Sequence, residues 1–556
     1  MTVRVAEGIA GVLAASGTGA LFGVPASETM AIVVAAERQG IATYHARHEQ
    51  AAVGMADGYG RFSGRPGVVV VGRGPGFTNG LNAIITAVKA RSPVVVVTGE
   101  LPRPYQGERA GDHIFHSKNV DQAGIAELAG CLTVAVTRPE QACAEARRAI
   151  ELASTGRVVV LLVPTDVAAA DLPAPPSAAP LAVPVHRALA PDPTSIVAVA
   201  DLLGESWACR RPLVLAGRGA SSPAAREALV ELGDRIGAVM VTTLGAKDLF
   251  AGNPADGRIL GTLSPAATSG LAMRSDLALV FGASLNPFTT YGGDLLAKAK
   301  VVQFDDDRRA FGRHLPADLE VMGDAATSAQ LLVDELRRRG HREEGYRLPA
   351  VLDELAAGRH PRPAPGGGLD GPAALRALDA VLPAERVVVV DAGAHMPLAA
   401  TWLRVPRPDC FLTTAVEYTS VGSAFGIAAG AAIADPSVTT VLVIGDGGLA
   451  MALPDLQTLA RYRLPVAVVV VNDSAFGQEV QLLQLAGLPD DIARYPAIDF
   501  EDVAGAVGVS GMTVRAPGDL ARVPEALAHG LPLVIDCKVP SETLGEHTAL
   551  VTRLGR

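Results

Sequence analysis

The sequence predicts an α/β protein made of three doubly wound domains with parallel sheets. Short β-branched runs alternate with alanine-rich helical stretches, the pattern of sheets covered by helices on both faces. At 556 residues the chain is too long for one core and divides into about three units of the usual ~150 residues. Two proline-rich stretches fall where the boundaries of such units would lie.

Taken in order, the runs at 68–71, 94–98 and 158–163 are strand candidates of a first domain over residues 1–170. The prolines that follow in Leu172-Pro173-Ala174-Pro175-Pro176 favour an extended linker, because proline fits neither a helix interior nor a central strand. A second domain over 190–345 offers strands at 212–216, 239–243, 277–281 and 301–304, with glycine turns after several of them. His360-Pro361-Arg362-Pro363-Ala364-Pro365 reads as a second linker. The third domain, 369–556, opens with the run 386–391 and carries the runs 440–444 and 466–471. No short-period repeat is visible, and the first and third domains can share a fold.

Composition narrows the partners. Hydrophobic residues make up 49% of the chain but come in runs of four to six, far short of the ~18 that cross a bilayer, so no membrane span is expected. The N-terminus lacks the apolar stretch of a secretory signal, which predicts a cytoplasmic protein. Five scattered cysteines without a C-x-x-C pair predict neither a disulfide framework nor a zinc site. A net charge of -10 without basic runs argues against nucleic acid and for a small-molecule substrate.

The richest motif begins where the run 441–444 meets Gly445-Asp446-Gly447-Gly448. Glycines there let main-chain N–H groups approach a phosphate, and Asp446 falls at the carboxyl end of a strand, where α/β sheets bind ligands. A helix is expected over 449–460, and the next run, 466–471, delivers Asn472-Asp473-Ser474-Ala475-Phe476-Gly477. Adjacent strand ends would thus each present a carboxylate. Magnesium takes one or two carboxylates together with phosphate oxygens and water, so Asp446, Asp473 and a nearby carbonyl can supply the protein's share. Taken alone, each motif is also what a tight turn looks like.

Together these two motifs resemble the thiamine diphosphate enzymes, whose hallmark is Gly-Asp-Gly followed, at the end of the next strand, by Asn-Asn. The resemblance assigns the metal to Asp446, Asp473 and the carbonyl of Ala475, with an Asp where the family has the second Asn. It assigns diphosphate contacts to Gly445, Gly447 and Gly448, and places Phe476 and Gly477 beside the cofactor. Arg47-His48-Glu49-Gln50 resembles the segment of acetohydroxyacid synthases, benzaldehyde lyase and benzoylformate decarboxylase-like relatives that bears the catalytic glutamate, here Glu49. In that chemistry the glutamate bonds N1′ of the aminopyrimidine and so promotes removal of the thiazolium C2 proton, which requires burial away from water and other anions. Read without the resemblance, Glu49 is a helix-start acid. Gly74-Pro75-Gly76-Phe77-Thr78-Asn79 matches the glycine turn of the first domain, Thr419 and Val421 match the loop that grips the pyrimidine, and Gly393-Ala394-His395 matches a diphosphate-contacting Gly-Gln-His.

The same resemblance implies a pyrimidine-binding, a central Rossmann-like and a diphosphate-binding domain in that order, and a homodimer or homotetramer with active sites between subunits. Ser27 and His116 correspond to positions beside the reacting carbonyl, although a Ser bonded to its own backbone and a structural His fit them equally. His113 can accompany His116. The arginines that help hold FAD in acetohydroxyacid synthases are missing from 283–287, which argues against FAD. The expected activity is a magnesium-dependent 2-oxoacid decarboxylase or carboligase resembling acetolactate synthase, acting on a 2-oxoacid or an aldehyde. The alternatives are a benzaldehyde-lyase-like or acyl-CoA lyase that cleaves a carbon–carbon bond without decarboxylation, and an inactive cofactor-binding regulatory homologue.

Overall fold

The computed structural model describes residues 3–103, 118–172, 188–204, 211–357 and 369–540. The proline-rich stretches at 173–180 and 360–365 lie outside them. Three sheets form, each six-stranded and parallel. The first contains β1 (Ala20–Gly23), β2 (Ala42–His45), β3 (Gly67–Val71), β4 (Val94–Glu100), β5 (Leu132–Ala135) and β6 (Val158–Pro164), in the order β2-β1-β3-β4-β6-β5. The second contains β7 (Pro212–Ala216), β8 (Val239–Thr242), β9 (Asp256–Ile259), β10 (Leu277–Phe281), β11 (Lys300–Asp305) and β12 (Leu319–Met322), in the order β12-β11-β10-β7-β8-β9. The third contains β13 (Arg386–Val390), β14 (Phe411–Thr413), β15 (Thr439–Gly445), β16 (Val466–Asn472), β17 (Ser510–Val514) and β18 (Leu533–Lys538), in the order β14-β13-β15-β16-β18-β17.

The first and third sheets therefore share one topology, as expected, while the middle sheet has the dinucleotide-fold order, its direction reversing between β7 and β10. Central strands such as β3 and β16 are buried along their whole length because helices cover both faces, which is why they read as unbroken valine runs. The helix expected over 449–460 differs in detail. Asp446–Ala452 is helical from the first residue after β15, a 3-10 turn at Leu453–Asp455 containing Pro454 interrupts it, and Leu456–Tyr462 resumes. Proline lacks the N–H that would continue the ladder.

The first and third units are joined by two helices in backbone contact, Glu49–Ser63 and Ala424–Ala434. A Cβ at Gly430 would lie 2.0 Å from the Met55 carbonyl oxygen, and one at Gly58 would lie 2.0 Å from that of Ile427. Glycine is a poor helix former, so Gly→Ala inside a helix normally gains up to about 1 kcal/mol. Here overpacking dominates: Gly430→Ala is expected to destabilise by about 1–3 kcal/mol. Gly505→Ala, at a helical position with nothing within 4 Å of the added Cβ, should be neutral or stabilising. In thermal melts Gly430→Ala should unfold at a lower temperature than wild type and Gly505→Ala at the same temperature or a higher one.

Candidate active site

The carboxyl edge of the first sheet gathers one set of candidates. Beyond β2, His48 caps the helix Glu49–Ser63, its Nδ1 accepting from the Gln50 N–H at 3.1 Å, so Glu49 is the first helical residue. Beyond β3, Gly74 adopts φ 63° and caps a helix that starts at Pro75, so the expected glycine turn is a helix entrance. This brings Asn79 Nδ2 to 3.1 Å from Glu49 Oε2, and leaves Gly76 so close that a Cβ would sit 3.3 Å from Glu49 Oε1. Ser27, beyond β1, is exposed on the same edge next to Glu28, which pairs with Lys118 at 2.9 Å. His113 and His116 lie outside the described residues.

The carboxyl edge of the third sheet gathers the other set. Gly445 ends β15 opposite Val471 of β16, so Asp446 and Asp473 follow the ends of neighbouring strands. Asn472, the first residue of the Asn-Asp pair, is committed to structure, donating to the Ile498 carbonyl at 3.0 Å and to Asp536 Oδ1 at 2.9 Å. Ser474 then turns through φ 55°, and Ala475 offers its carbonyl. Asp446 is 1% exposed, and one buried oxygen on each aspartate, Oδ2, has no hydrogen-bond partner. Burial pushes the Asp446 carboxyl up to about 6; burial, and then the Asp446 charge, push Asp473 up to about 7. The Tyr495 hydroxyl donates to the Ala475 carbonyl at 3.2 Å and lies beside the Asp446 carboxyl, so it stands next to two of the three proposed ligands.

Around this pair, His395 is buried with its Nε2 unpartnered, and burial pushes its pKa down to about 4, so the ring is neutral near pH 7. The buried Asp391 carboxylate organises the loop after β14 by accepting from the N–H groups of Gly422 at 2.6 Å and Ala424 at 3.2 Å, and from the Thr414 hydroxyl at 3.2 Å. Thr419, in that loop, has φ 56°. The glycines after Asp446 are required by packing as well as by any ligand. A Cβ on Gly447 would meet the Phe476 ring at 2.6 Å, and one on Gly448 would meet Asp391 Oδ2 at 2.6 Å.

Gly393, His395, Thr419, Val421, Gly445, Asp446, Gly447, Gly448, Asp473, Ala475, Phe476 and Gly477 all line one cavity of about 1770 Å³, which continues to the strand ends of the middle sheet. Neither Glu49 nor Ser27 lines it. The chain does tie the two edges together: Gln50, next to Glu49, donates to Ser423 at 3.1 Å, and Asn82 donates to Ser420 at 2.7 Å. Asn82, Asp391 and Tyr495 were not singled out from sequence, because their partners are distant in the chain, and Asn79 stood at the end of the matched glycine turn without a role of its own. The donor set at Asp446, Asp473 and Ala475 is all oxygen, with buried lone pairs to spare, and fits a hard dication.

Repeated α/β units with a buried carboxylate pair at one sheet edge and a helix-start glutamate at another have the donors that a phosphorylated cofactor and its cation would need. Comparison with known families is more specific. Residues 3–125 match the N-terminal TPP binding domain of thiamine pyrophosphate enzymes, 197–332 their central domain and 391–537 their C-terminal TPP binding domain. The chain is 30% identical to the acetolactate synthase large subunit of Parasynechococcus marenigrum, over 97% of this chain and 88% of that protein. It is 27% identical to the probable acetolactate synthase large subunit of Methanocaldococcus jannaschii, over 98% and 93% of the two chains, and 27% identical to acetolactate synthase 2 of Zea mays, over 94% and 83%. The chain belongs to the thiamine pyrophosphate enzymes and is a thiamine diphosphate-dependent enzyme resembling acetolactate synthase. Among the described residues no helix is long and apolar enough to cross a membrane.

Proposed function

We propose that the protein is a magnesium-dependent 2-oxoacid decarboxylase and carboligase that works as a homodimer or homotetramer. The observation that carries this reading is the separation of the two half-sites: the cavity of one chain contains the carboxylate pair but not Glu49. A second copy that covers the cavity with its own first-sheet edge would complete the site and remove Glu49 from water. Asp446, Asp473 and the Ala475 carbonyl would hold Mg²⁺ and, through it, a diphosphate. His395, neutral and with a free Nε2, would bond a phosphate oxygen, and Val421, stiff at χ1, would support the cofactor's bend. When bound, thiamine diphosphate supplies a nucleophilic carbon and an electron sink. Glu49 would hold a proton at the pyrimidine N1′, oriented by Asn79. Ser27 is proposed to face the substrate from the covering edge, and His116 is proposed as a second catalytic residue.

The test is titration of metal-stripped protein with thiamine diphosphate, with and without Mg²⁺, followed by assay of CO₂ release from short 2-oxoacids and sedimentation to obtain the mass. Magnesium-dependent binding, CO₂ release and a mass of at least two chains are expected. Cleavage of an acyloin without CO₂ would replace this reading with the lyase one. Absence of binding by folded protein would remove the cofactor site.

A further inference from the structure

Asp473 changes the charge of the cation site. The two carboxylates stand at neighbouring strand ends, each with a buried oxygen that has no hydrogen-bond partner, and Asp446 is 1% exposed. The arginine whose charge reaches Asp473 is Arg494, which is itself bonded to Asp490 at 3.0 Å. Tyr495 supplies a neutral hydroxyl. Two buried anions side by side without a bound counter-charge are costly, and a dication set between them removes that cost at a stroke. A site with one carboxylate and one amide would leave a bound dication with a charge of +1 and would need the cofactor's phosphates to neutralise it. With two carboxylates the protein does this alone.

We propose that this protein binds its divalent cation before, and independently of, the diphosphate, and that Asp473 is the residue that makes it do so. The inference rests on the assignment of Asp446, Asp473 and Ala475 as the cation site. It has a second, opposite consequence. Because the loaded site is neutral rather than positive, the diphosphate gains less from it, so removing the Asp473 charge should weaken the cation alone yet not weaken the cofactor at saturating cation.

The experiment uses Mn²⁺ as probe, followed by electron paramagnetic resonance and by the thermal melt of the full-length, cofactor-free protein. Wild type should bind one Mn²⁺ per chain and melt at a higher temperature with it. Asp473→Asn, which keeps the shape of the side chain, should bind Mn²⁺ at least about tenfold more weakly. At saturating Mn²⁺ the same variant should bind thiamine diphosphate as tightly as wild type or more tightly. Asp446→Ala should lose both. If cofactor-free wild type binds Mn²⁺ only once thiamine diphosphate is present, or if Asp473→Asn binds Mn²⁺ as well as wild type does, the proposal is wrong although the cation site stands. If wild type binds neither Mn²⁺ nor the cofactor when both are supplied, the site assignment itself fails, and the proposal with it.

Discussion

Glu49→Gln is expected to lower turnover by about 10²–10⁴-fold, the range in which one positioned acid or base contributes, while leaving thiamine diphosphate affinity unchanged. The amide keeps the size of the side chain and can still contact Asn79, which lies 3.1 Å from Oε2 in the wild type, but it cannot exchange a proton. Binding should survive because the groups assigned to the metal and the diphosphate lie on the other sheet edge, in a cavity that Glu49 does not line. Two measurements check this: titration with cofactor and Mg²⁺, and hydrogen–deuterium exchange at C2 of the bound cofactor. Unchanged exchange in the variant would show that another group handles that proton. Lost binding would show that Glu49 holds the cofactor rather than activating it.

The sheet runs were legible because strands buried on both faces must be apolar along their whole length; β7 and β10 match the expected spans, the other expected runs shift by one or two residues, and strands such as β1 and β9 were not among those runs. The third-sheet half-site was legible for a related reason, since Gly445-Asp446-Gly447-Gly448 and Asn472-Asp473 are contiguous and a strand end fixes where they point. Small residues in the helix Glu49–Ser63 permit close packing, but periodicity does not name a partner, and the helix it meets begins at Ala424. The bond from Asn82 to Ser420 joins residues 338 apart, and no local spacing encodes it. The same holds for Asp391, whose role lies in the N–H groups of Gly422 and Ala424. Glycines 447 and 448 show how a correct motif can carry an incomplete reason: an approach to phosphate was legible, whereas the Phe476 ring and the Asp391 carboxylate that also exclude a side chain were not.

Asp248→Ala is expected to cost about 3–5 kcal/mol, the usual result of removing one partner of a buried ion pair. Lys247 and Asp248 are 1% and 4% exposed, with Nζ 2.5 Å from Oδ2. Burial alone would raise the Asp248 pKa, but the Lys247 and Arg404 charges outweigh it and hold the carboxyl below its ordinary range. The same carboxylate takes Arg404 at 2.5 Å and the Val405 N–H at 3.1 Å, so it ties the middle unit to the third. Without it the Lys247 ammonium keeps, among the described residues, the Phe411 ring 5.6 Å away as a contact that favours its charge. Lys247→Met combined with Asp248→Asn removes both charges and should recover most of the loss, which distinguishes a stranded cation from a general packing defect. The damage should also reach the cofactor site. Arg258, from the middle unit, donates to the carbonyl of Thr401 on the helix Met396–Trp402, and that helix starts directly after His395. Loosening the two units therefore frees the element that positions the imidazole, and thiamine diphosphate should bind more weakly to Asp248→Ala than to the double variant. Urea unfolding and cofactor titration of the three proteins check this; equal affinities for the two variants would confine the ion pair to a purely stabilising role.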